Sequence, residues 1–146
     1  MNLSAKKVLT TWLMIVAISH VAIGIALPFI AFSSAFDFYI QDIRAHLWIS
    51  KVMPDQAIEL TRWLTAYLGP TIASWGVLMA YLVYTGMRTD SHKPWIILLL
   101  AILAWGPADI VLSMMYQFQS NIIVDVIAII SIVGPTLFLL THTNQK

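Results

Sequence analysis

Charged residues cut the chain into long apolar stretches. Residues 8–36, 63–87, 94–108, 110–124 and 126–145 contain no Asp, Glu, Lys or Arg. A helix needs about 20 apolar residues to cross the hydrocarbon core of a bilayer. The first, second and fifth stretches reach that length alone. The third and fourth reach it only when Asp109 is taken inside one helix. The pattern therefore predicts four spans, over 8–32, 58–87, 95–116 and 122–140. The expected fold is all-α: an integral membrane bundle of four transmembrane helices in one domain covering 1–146.

The connector between the first two spans has a pattern of its own. Phe36, Ile40, Ile43 and Leu47 recur at helical spacing, while Asp37, Gln41, Arg44 and Lys51 fall elsewhere. This periodicity predicts a short amphipathic helix lying in the membrane interface. The plainer alternative is a loop with scattered apolar residues.

Composition narrows the class. Only 10% of residues are charged and 60% are hydrophobic, whereas soluble domains carry about 25% charged residues. Mean hydropathy is +0.82. The net charge of +1 argues against a nucleic-acid surface. With no cysteine, disulfides, thiol redox chemistry and Cys-ligated metals are excluded. Lys6 and Lys7 precede the first apolar run, as in a signal peptide. That run is longer than the 7–15 residues of a signal core, so it reads as a retained helix.

The distribution of Lys and Arg sets the expected orientation. Lys6, Lys7, Arg88, Lys93 and Lys146 fall on the side of the termini. Arg44, Lys51 and Arg62 fall on the other side, diluted by Asp37, Asp42, Asp55 and Glu59. Both termini are thus expected in the cytoplasm of a bacterial inner-membrane protein, with the 33–56 connector and the 117–121 turn outside.

Each span holds a proline: Pro28, Pro70, Pro107 and Pro135. Gly69, Gly106 and Gly134 precede the last three. Proline removes a backbone hydrogen bond and kinks a helix, which membrane helices tolerate where neighbours re-satisfy the backbone. The kinks either shape close packing or open a cavity. The residues flanking the Gly-Pro pairs differ, so they do not form an internal repeat.

Two acids lie within the spans, Asp109 and Asp125. An ionisable residue in hydrocarbon is costly and points to a site. Trp105, Asp109, Ser113 and Tyr116 are spaced to share one helix face, which should turn toward protein because lipid offers no hydrogen bonds. In an antiparallel pair of helices Asp109 and Asp125 differ in depth by about 6 Å, so they can share a site. Arg62, near the start of the second span, can bridge to Asp125; such a bridge would serve packing alone. His20, flanked by Ala17 and Gly24, should face a partner helix. It can bond to Asp109, either as a satisfied packing group or as part of a proton relay.

Other chemistry is absent from the sequence. No HExxH, P-loop, GxGxxG or GxSxG motif occurs, and neither cofactor nor metal is called for. His20 is the only histidine inside a span, so a bis-histidine haem site within one chain is excluded. Trp12, Trp48, Trp63 and Trp95 mark span ends, as in an aromatic belt; Trp75 and Trp105 lie deeper.

Three function classes fit. The first is a pocket open to the outer leaflet, built from His20, Arg62, Trp105, Asp109, Ser113, Tyr116 and Asp125, that binds or transports a small amphipathic or cationic ligand. The second is a non-catalytic accessory subunit docked in a larger membrane complex. The third is an intramembrane enzyme acting on a lipid-soluble substrate through Asp109 and His20. Lipid is the expected partner throughout, and transport by so small a chain would gain from a homodimer.

Overall fold

The computed structural model describes residues 3–48, 52–89 and 91–142. Lys51 and Lys146 of the charge count lie outside them. The chain is all-helical: α1 Leu3–Ile30, α2 Asp37–Leu47, α3 Asp55–Arg88, α4 Lys93–Met115 and α5 Gln119–His142. Four of these, all but α2, are long and apolar enough to cross a membrane. Each expected span is covered and slightly extended, apart from the C-terminal residues of the first and third. Pro28, Pro70, Pro107 and Pro135 all lie inside helices.

α1 packs on α3, α3 on α4, α4 on α5, and α5 returns to α1. The helices bury little of themselves. Only 17% of the most apolar window of α1 is buried, and 22% in each other span. Phe29 (77% exposed), Met115 (70%) and Ile130 (67%) point outward. So much exposed apolar surface is unusual for a monomer in water and suits a bilayer.

The α1–α3 contact shows why small residues recur. A methyl group on Gly76 would lie 2.7 Å from the Val21 nitrogen and 2.8 Å from the Ala17 carbonyl oxygen. One on Gly69 would meet the Gly24 carbonyl at 2.5 Å and the Pro28 ring at 2.8 Å. The seam therefore runs through Ala17, Val21, Gly24 and Pro28 on α1 and Gly69, Ala73 and Gly76 on α3. Steps of four and three give the 3.5-residue period of left-handed helix pairs. At Gly69–Pro70 the Gly-Pro pair serves close approach. At Gly134 it does not, since nothing lies within 4 Å of an added methyl.

Two apolar clusters bracket the molecule. One gathers Leu13, Ala17, Met79, Val83, Trp95, Leu98, Ile102, Ile132 and Leu139. Trp95 is fully buried there with its indole against Gly86, so it is a packing residue and not part of an interfacial belt. The other cluster, at the connector end, joins Phe36, Ile40, Ile43 and Met53. α2 is thus helical with its apolar face inward, except that Leu47, at its last turn, is 44% exposed.

Candidate functional site

Following α4 from Ile102, the inward positions are Gly106, Asp109 and Ser113, again in steps of four and three. α5 runs antiparallel after a tight turn and presents Asn121 and Asp125 to them. The turn is a Schellman closure: the Phe118 N–H donates to the Ser113 carbonyl at 2.9 Å and the Gln117 N–H to Met114 at 3.2 Å. It requires a left-handed residue, and Gln117 supplies it at φ 58°. Opposed i, i+4 pairs on two helices then meet: Asp109 and Ser113 face Asn121 and Asp125.

One amide joins them. Asn121 Nδ2 donates to Ser113 Oγ at 2.7 Å, to Asp125 Oδ2 at 3.3 Å and reaches Asp109 Oδ1 at 3.5 Å. Asp125 is buried at 3% exposure, as is Ser113. The two carboxyl groups thus meet at one donor, the Asn121 amide. An amide carries two N–H donors, and here three acceptors compete for them. Among the described residues neither acid has an Arg, Lys or His within ion-pair distance.

α2 meets the α4–α5 turn and the start of α5 beside this cluster. Asp42 accepts a short hydrogen bond from Ser120 Oγ; His46 Nδ1 bonds to the Asp42 carbonyl at 2.8 Å and lies 3.2 Å from its carboxylate. The His46 ring meets Phe118 edge-on. Tyr39 packs on Phe36 with ring centroids 4.9 Å apart. Burial pushes the Tyr39 phenol above its ordinary value of 10.0, and the fields of Asp109, Asp42 and Asp125 add to this. The phenol is held neutral over a group of acids.

Several expected partners are elsewhere. Arg62 does not bridge to Asp125. Its Nη1 donates to the Ala31 carbonyl at 2.6 Å and to Ser33 at 3.2 Å, and its Nη2 to Asp37 Oδ1 at 2.5 Å. The open carbonyls at the C-terminus of α1, with their negative dipole end, draw the guanidinium more closely than an acid on α5. His20 does not bond to Asp109. Its Nδ1–H donates to the Val16 carbonyl at 2.8 Å within α1, and α1 packs chiefly on α3 rather than α4. Trp105 (43% exposed) and Tyr116 (51%) face outward, because the α4 seam runs through Ile102, Gly106, Asp109 and Ser113 and shares only the middle of the expected stripe. Tyr116 instead lines a surface groove with Ala45 and His46.

The structure therefore gathers Asp109, Ser113 and Asp125 from the expected set and adds Asn121, Tyr39, Asp42 and Ser120. The signal for Asn121 was present: it stands four residues before Asp125, opposite a pair with the same spacing. Tyr39 lies on the Phe36–Ile43 face of α2, but only tertiary packing carries it to the acids. No family model, curated protein or solved structure matches the chain.

Proposed function

We propose that this membrane protein binds a small cationic or amphipathic ligand at the Asp109–Asp125 pair, with α2 over the entrance on the outer side and both termini cytoplasmic. One observation carries the reading: two intramembrane carboxyl groups converge on one amide, with no cation at ion-pair distance among the described residues. Such a pair in low dielectric calls for a positive charge, either a shared proton or a bound cation. Asn121 orients the acids, Ser113 holds Asn121, and Tyr39 offers an aromatic face and a neutral hydroxyl at the entrance.

An acid–base enzyme using His20 with Asp109 has no support from this geometry, since the two residues bond to different helices. The ligand reading is tested with tetraphenylphosphonium, a permanent lipophilic cation, in equilibrium dialysis against the purified protein in detergent. Binding by the wild type that falls at least about tenfold in Asp109→Asn and in Asp125→Asn, with helicity retained, supports it; tenfold corresponds to about 1.4 kcal/mol of lost attraction. Equal binding by all three proteins would remove the site.

A further inference from the structure

A second polar site lies on the other flank of α2, away from the acids. Asp37, Ile40, Gln41 and Arg44 on α2 face Ile58 and Arg62 on α3 across a groove of about 230 Å³. Positions 37, 41 and 44 form one edge of α2, and 58 and 62 are one turn apart on α3, so the lining follows from helical spacing alone.

The two arginines differ in their circumstances. Arg62 is engaged by Asp37 and by the carbonyls of Ala31 and Ser33. Arg44 forms no ion pair among the described residues, and its Nε is buried without a hydrogen-bond partner. A guanidinium at a groove without a counter-charge favours an anion within reach of its terminal nitrogens. The lining sums to one net positive charge, from Arg44 and Arg62 against Asp37.

The location selects the kind of acceptor. α1 ends at Ile30 and α3 begins at Asp55 on this side. Phe29 and Phe32, both exposed, flank the end of α1. At the boundary between hydrocarbon and water the abundant anion is the lipid phosphodiester. Guanidinium matches phosphate oxygens in geometry as well as charge, and basic pockets between transmembrane helices suit anionic headgroups.

We propose that the α2–α3 groove is a phosphate-binding site for the headgroup of an anionic phospholipid, with Arg44 as its charged contact and Gln41 as a neutral hydrogen-bonding group beside it. Ile58, half-buried on α3, would line the path of the first acyl carbons. The site is separate from the acid pair, and either can fail without the other.

The test uses the full chain in a neutral detergent, with calorimetric titration by dihexanoyl phosphatidylglycerol below its micellar concentration. The wild type should bind, Arg44→Gln should bind about tenfold more weakly or less, and Arg88→Gln, at the opposite end of α3, should match the wild type. Inorganic phosphate that displaces the lipid in an Arg44-dependent manner supports the site and shows that the free anion suffices. Lipid binding that phosphate does not displace supports the site and assigns it to the headgroup with its chains. Should Arg44→Gln fail to fold, Arg44→Lys keeps the charge without the planar guanidinium fork; intermediate weakening supports the proposal. Wild-type protein that binds neither probe, or lipid affinity unchanged in Arg44→Gln (in Arg44→Lys where Arg44→Gln does not fold), overturns it.

Discussion

Asn121 is the residue on which the acid cluster depends. It is the shared donor between Ser113, Asp125 and Asp109. Replacing it by leucine leaves these acceptors without that partner, and each unmet buried polar group costs about 1–3 kcal/mol. Asn121→Leu should therefore lower the melting temperature in detergent clearly, whereas Asn121→Asp should lower it further by adding a third acid. Tyr39 gives a pH-dependent counterpart. Its phenol is held above 10.0 by burial and by Asp109, Asp42 and Asp125. A group with a raised value contributes stability that is present below its unfolded value and lost as pH rises through the folded one. As pH rises above about 10, the ordinary range of a phenol, the wild type should lose stability that Tyr39→Phe does not lose. Parallel melting curves for the two proteins across that range would contradict this placement of the phenol.

The helices themselves were legible from the spacing of charges, because a bilayer requires apolar runs of fixed length and the chain supplies them. Asp109 had to be inside α4 for that run to be long enough, and it is. Which face of α4 turns inward was less legible. Trp105 and Gly106 both stand near Asp109 on a helix, and polarity favoured the tryptophan's stripe. Close packing decided otherwise: an added methyl on Gly106 would lie 2.7 Å from Ile129 Cδ1, so the glycine is the contact position. Arg62 was misplaced for a related reason. Arg62 is held by the carbonyls of Ala31 and Ser33 just past α1, which no sequence pattern marks as a partner. The α4–α5 turn offers a test at this scale. Gln117 sits at φ 58°, where an L-residue costs about 1–2 kcal/mol. Glycine removes that cost but gains about 0.4–1 kcal/mol of unfolded-state freedom. Gln117→Gly should thus stabilise the protein by about 0.5–1 kcal/mol in a denaturation experiment, and a destabilised variant would show that the Gln117 side chain holds the turn together.

At the scale of the molecule, four membrane-length helices place the acid pair between two apolar clusters, with α2 beside it. Orientation is open to direct labelling. Ser34 is exposed before α2, and Ser91 lies between α3 and α4. In intact cells an impermeant thiol reagent should modify Ser34→Cys, and should modify Ser91→Cys only after permeabilisation; the reverse would invert the proposed topology. The central claim is that Asp109 and Asp125 form one cation-binding unit. A double-mutant cycle on tetraphenylphosphonium binding tests this most directly, comparing the wild type, Asp109→Asn, Asp125→Asn and the double variant. Residues acting as a unit are strongly non-additive. The double variant should therefore lose little more affinity than either single one, each about tenfold weaker than the wild type. Losses that simply add, or binding that none of the substitutions affects, would contradict a shared site.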